Sequence, residues 1–197
     1  VTMSYEEPTN ALELVDAIPM SDEEGIAQSK YFEFTVTTHA TTDEDDNIGV
    51  EVPYEINVTP LEVSDGYIQL GGWDVKLGLT KVVDGNEKLI FTDEIGSLGS
   101  SAQRENSYIL YATRDIHKNA SSSISTKYRL RMWIDDEVYQ EDLNTGDFEY
   151  RLRVNVDSNT KVLGYTTPQE CFEYKLLSGG GIEITGYDSE CGGTDVV

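Results

Sequence analysis

The chain has 197 residues, 37 of them acidic and 14 basic, giving a formal net charge of −23 and a pI near 4.2. That length suits one domain with a small appendage and is enough to bury a real core. Nothing this acidic offers the basic field that nucleic acid or an anionic membrane attracts, and no uninterrupted apolar run approaches the length of a membrane span.

Residues 1–30 come first as an acidic segment with an apolar centre. "ALELVDAIPM" (11–20) reads as a strand through Leu12 and Leu14 or as a helical turn through Ala11, Leu14, Val15 and Ile18, and Pro19 ends either. Glu6, Glu7, Glu13, Asp16, Asp22, Glu23 and Glu24 surround it, and "SDEEG" reads as a solvated break. The expectation is a detachable arm ahead of a β-sandwich at residues 31–160.

From Tyr31 onward nearly every strong period is two, as alternating side chains of a strand require. "YFEFTVTTHA" puts Phe32, Phe34, Val36, Thr38 and Ala40 on one face, and "VEVPYEINV" does the same with Val50, Val52, Tyr54, Ile56 and Val58. Pro53 lies on the outer face of the second run, which points to an edge or a bulge there. "WDVKLGLTKV" aligns Trp73, Val75, Leu77 and Leu79, and "DGNE" turns it into "KLIFT" as a hairpin. "SYILYATRDI" is a further strand and "SSSIST" a loop.

Two arginine-bearing runs follow. "KYRLRMWIDDE" sets Tyr128, Leu130, Met132 and Ile134 opposite Arg129 and Arg131, and "EYRLRVNVD" sets Tyr150, Leu152, Val154 and Val156 opposite Arg151 and Arg153. "QEDLNTGD" supplies turn formers between them, so a hairpin with four guanidinium groups on one exposed patch is expected. Glu33, Glu51, Glu55 and Glu149 are the intramolecular partners on offer. At least seven strands and no three-turn amphipathic helix give an all-β sandwich, jelly-roll or immunoglobulin-like.

The last unit, 161–197, reads as two short strands around "SGGG". The two cysteines, Cys171 and Cys191, are expected to staple it as a disulfide, worth about 3 kcal/mol by loop closure, with two thiols in a reducing compartment as the alternative. Richness in Tyr, Thr, Ser and Gly, and a first residue that is not Met, favour an exported, extracellular chain. Asn57 and Asn119 match the glycosylation triplet.

Catalytic parts are scarce. With only His39 and His117, both read as surface residues, and no zinc, nucleophile-elbow or phosphate-loop motif, no catalytic residue and no cofactor is expected. A glycosidase needs only two carboxylates, and a chain with 37 acids shows such pairs by chance. In "TTDEDDNIG", Asp43, Asp45 and Asn47 alternate like the opening of an EF-hand, but Ile48 replaces the required glycine and Tyr54 the bidentate glutamate. A looser Ca²⁺ site on Asp43, Asp45, Asp46 and Asn47 stays open beside a solvated hairpin tip.

The order "ALELVDAIPMSDEEG", "YFEFTV", "VPYEINV", "VKLGLTKV", "YRLRMWIDDE" resembles secreted bacterial matrix-fibre proteins of the TasA and camelysin style, over residues 10–156. That resemblance implies a jelly-roll that polymerises by donating an N-terminal strand. "CFEYKLLSGGGIEITGYDSECGGTDVV" resembles the entry segment of BspA-like leucine-rich repeat surface proteins, without the repeats. The expectation is therefore a self-assembling extracellular filament subunit. Leu12, Leu14, Val15 and Ile18 would dock on a neighbour's sheet, and Arg129, Arg131, Arg151 and Arg153 would attract the acidic arm. The alternative is a monomeric surface adhesion module for carbohydrate or host protein, contacting its ligand through Trp73, Trp133 and tyrosines.

Overall fold

The computed structural model describes residues 2–6, 12–15, 17–28, 30–41, 50–117, 121–138, 146–158, 172–176 and 182–187. The candidate metal, glycan and disulfide residues Asp43, Asp45, Asp46, Asn47, Asn119, Cys171 and Cys191 lie outside them. The chain divides into two compact units, Val1–Asn159 and Thr160–Val197. In chain order the strands of the first unit are β1 (Thr2–Glu6), β2 (Leu12–Val15), β3 (Pro19–Met20), β4 (Phe32–Thr41), β5 (Val50–Leu61), β6 (Ile68–Gln69), β7 (Val75–Val83), β8 (Asn86–Glu94), β9 (Tyr108–His117), β10 (Ser121–Asp135) and β11 (Phe148–Ser158). The second unit contributes an antiparallel pair, β12 (Phe172–Leu176) and β13 (Ile182–Tyr187).

The first unit is an all-β sandwich. One sheet runs β1-β4-β10-β7-β8, with β3 parallel to the end of β10; the other runs β2-β11-β5-β9, with β6 parallel to the start of β11. Period-two patterning sets the faces: Phe34, Val36, Leu77, Leu79, Tyr128, Leu130 and Ile134 of the first sheet meet Tyr54, Ile56, Val58, Leu152 and Val154 of the second in one core. The Tyr54 and Tyr128 hydroxyls join at 2.7 Å inside it, and burial pushes Tyr54 up to about 12. Pairing of β5 with β11 stops at Tyr54, so Pro53 sits where β9 alone flanks the strand.

Four expectations are overturned. First, β10 and β11 do not pair: they belong to opposite sheets, because consecutive strands here mostly change sheet. Among the described residues of the first unit, β7 and β8 form the local hairpin that the sequence announces, with Asp84 (φ 50) and Gly85 (φ 80) supplying the two left-handed turn residues. Second, "SSSIST" is not a loop but the opening of β10, registered against β4 from Ser121↔Thr41, with Thr37 and Ser125 hydroxyls 2.9 Å apart. Third, "SDEEG" begins a helix, α1 (Asp22–Ala27). Ser21 caps it: its Oγ accepts from the Glu24 amide while its own amide donates to the Glu24 carboxylate, a reciprocal box with the S-x-x-E spacing.

The fourth correction concerns the arm. Three strands from the first thirty residues are built into the two sheets: β1 lies against β4, β2 against β11 and β3 against β10. Leu12 and Leu14 are buried in the core, so the groove expected for a second copy's leading strand is filled by the chain's own. α1 then covers the outer face of the first sheet over Trp133, which is fully buried rather than an exposed contact. Gly25 and Gly78 make room for that indole; a Cβ on Gly25 would come within 2.3 Å of the Trp133 ring, and one on Gly78 within 2.3 Å of Ile26.

Candidate functional site

A cleft of about 590 Å³ is lined by β6, the turn that follows it, the end of β8 and the end of β10. The turn is fixed at three points. Its own ends close through Asp74 N–H to Gly71 O (3.1 Å) and Gly71 N–H to Asp74 Oδ2 (3.0 Å). Asp135 N–H donates to Asp74 O (3.0 Å), and Gly96 N–H donates to Gly72 O (2.8 Å). The result presents Trp73 in the turn rather than in β7. Its ring lies on Gly96, where a Cβ would come within 2.6 Å of it, yet the side chain is 68% exposed. Glycine at 96 is thus the shelf that lets one indole face rest on backbone while the other faces water. Ile68 beside it is also exposed.

Carboxylates share the cleft with Trp73. Asp74, Glu94, Asp135 and Glu137 line the cleft. Beneath them Lys76 reaches Asp135 at 2.9 Å, Asp22 at 3.1 Å and Glu94 at 3.7 Å, which also ties α1 to the site. Burial works against the Lys76 charge, but bonds to Asp135 and Asp22 outweigh it and hold its pKa above the usual lysine range. Burial likewise raises Asp135, and the Glu137 amide and Lys76 overcome that and keep it below the usual carboxylate range. Glu94 is raised, first by its hydrogen bond with Asp93 and then by burial. This arrangement can stack a flat, hydroxylated ring on the indole while the carboxylates accept its hydrogen bonds. Among the described residues no group of three or more His, Cys, Asp or Glu is arranged to hold a metal ion.

The arginines singled out in the sequence lie on opposite outer faces of the sandwich. Arg129 and Arg131, on the first sheet, converge on Glu87: Arg131 donates two bonds to it at 2.7 and 3.0 Å and Arg129 one at 2.7 Å. Arg129 also bonds Glu33 at 2.9 Å, and Tyr31 lies under both guanidiniums at 4.3 and 5.0 Å. Arg131 is only 4% exposed. Hydrogen bonds from Arg131, helped by Thr80 and Arg129, outweigh burial and hold Glu87 to about 2. On the second sheet Arg151 pairs with Glu13 at 3.2 Å, across β2, and Arg153 is exposed. Of the residues expected between subunits, Leu12 and Leu14 lie in the chain's own core, Arg151 pairs with Glu13 of the same chain, and Val15 and Ile18 are exposed.

Two polar residues read as surface features are buried. Asn57 is fully enclosed, donating to Glu55 (3.2 Å) and Asp157 (2.9 Å) and accepting from Asn155 (3.1 Å), which leaves no place for a glycan. His117, 1% exposed, sits between Thr38 Oγ1 (3.0 Å) and Ser122 Oγ (2.7 Å). Thr38 gives its single proton to Asp115 at 2.6 Å, so His117 Nε2–H donates to Thr38 and Nδ1 accepts from Ser122. Glu87 and the capping box of α1 were missed as well; Ser21 and Glu24 carry a readable signal for the second. No protein-family model, curated protein or solved structure matches this chain.

Proposed function

We propose that the chain is a binding module displayed at an extracellular surface, with a glycan seated in the Trp73 cleft. One observation carries the reading: a mostly exposed indole resting on Gly96 in a cleft of about 590 Å³ whose lining also holds four carboxylates. That volume lies within the range of about 300 to 1,000 Å³ usual for small-molecule sites. The pattern resemblance to secreted surface proteins supports the location. A glycan array tests it. The intact chain retains a defined set of glycans, and Trp73→Ala loses that set with an unchanged melting temperature; an equal binding profile for the variant contradicts the reading.

Filament formation by strand exchange is the second reading, favoured by a different observation. Leu12 and Leu14 complete the core from β2, a four-residue strand at the edge of its sheet. A second copy's β2 makes identical contacts, so exchange costs little beyond association and becomes favourable as concentration rises. Acidic-to-arginine attraction, Glu13 with Arg151, travels with the strand. Light scattering against concentration tests this: growing species support exchange, and monomers at every concentration reject it.

A further inference from the structure

We infer that the ligand of the Trp73 cleft is a cationic glycan, built of 2-amino sugars with free, protonated amines; the inference rests on the cleft being a glycan site. Its lining includes the carboxylates of Asp74, Glu94, Asp135 and Glu137 and no lysine or arginine. The Lys76 ammonium is already divided among Asp22, Asp135 and Glu94. Asp74 is engaged by the Gly71 amide and Asp135 by Lys76 and the Glu137 amide, each at 2.9 or 3.0 Å. Glu94 gets only the longest of the three Lys76 contacts, and no described side chain pairs with the Glu137 carboxylate. Four carboxylates in the lining against one shared ammonium leave more negative charge than Lys76 neutralises.

A neutral sugar leaves that excess in place and an acidic sugar adds to it. A protonated amine offsets it, and the same amine is drawn to an indole face within about 6 Å of the ring. The formal net charge of −23 steers cations toward the molecule at longer range. A basic peptide brings ammonium groups too, but the broad free face of Trp73 matches the flat C–H face of a pyranose better than a flexible lysine stem.

Because the chain has two tryptophans and Trp133 is buried, a ligand-induced change in indole fluorescence reports on Trp73. The full chain is titrated with oligomers of glucosamine, of N-acetylglucosamine and of galacturonic acid, and with tetralysine. The expected result is glucosamine oligomer binding at least about tenfold tighter than the acetylated form. That binding weakens about tenfold as salt rises from about 0.05 to about 0.5 M, where the screening length falls to a few ångströms. Glu137→Gln, on an accessible wall, removes most of the preference while leaving the melting temperature in place. Equal affinity for glucosamine and N-acetylglucosamine oligomers overturns the cationic inference and leaves the cleft reading standing. Tetralysine binding without any sugar binding overturns both in favour of a basic peptide. A Trp73 signal that no probe moves sinks the cleft reading itself.

Discussion

Glu87 holds the outer face of the first sheet together, and its loss should be measurable in stability. Its carboxylate takes three bonds from Arg129 and Arg131 and a fourth from the Thr80 hydroxyl at 2.7 Å. Folding lowers its pKa from 4.5 to about 2, mainly through Arg131. A shift of about 2.5 units is ~3.4 kcal/mol in full. The side chain is 26% exposed, and solvent screening brings the figure to about 2 kcal/mol. The folded pKa is the lower one, so this stability is complete above pH 4.5 and is lost as pH falls toward 2. Glu87→Gln, studied by urea unfolding, is expected to cost about 2 kcal/mol at pH 7 and about 1 kcal/mol or less near pH 3. Adding Arg131→Met should recover part of the loss at pH 7, because Arg131 is buried and a guanidinium stripped of its partner is the costly species. An identical cost at both pH values would refute the electrostatic reasoning and assign the effect to packing.

The arm's place in the core predicts that Leu14→Ala destabilises the monomer by about 2 to 5 kcal/mol in the same unfolding assay; a change under about 0.5 kcal/mol means β2 is not docked in solution. Asn57 should remain unmodified by mass spectrometry when the chain is secreted from a glycosylating host, since its amide is enclosed by Glu55, Asp157 and Asn155; an attached glycan would require the second sheet's outer face to be open. Gly85→Ala is expected to lower stability by about 1 kcal/mol from backbone strain at φ 80, with open space around the new methyl; no loss would argue against the two-residue turn.

Strand identity was legible because period-two patterning is a local property: Phe32, Phe34, Val36, Thr38 and Ala40 are buried along one face of β4 as the alternation required. Topology was not. Adjacent runs with turn residues between them look like a hairpin, and nothing local in "YRLRM" or "YRLRV" says that the two strands close opposite sheets of one core. The arginines were correctly read as facing away from the apolar rows, but their partner Glu87 lies on β8, two strands from β10 across the sheet, so its role depends on register. Ser121 to Ser125 read as a loop because hydroxyl side chains favour turns; a long pairing with β4 overrides that preference. The cleft is assembled from residues 68–74, 94–96 and 135–138, segments that only the fold brings together. Trp73 was visible as a candidate contact, but the Gly96 shelf that presents it was not.

The central claim is that Trp73 is a ligand platform, and its indole resonance is the most direct witness. With two tryptophans, a ¹⁵N-labelled sample gives two indole N–H signals, one from an exposed ring and one from a ring sealed beneath α1. Titration with the glycan selected on the array should shift the Trp73 signal along a saturable curve while the Trp133 signal stays fixed. A fixed Trp73 signal under conditions where binding is detected by calorimetry would contradict the account.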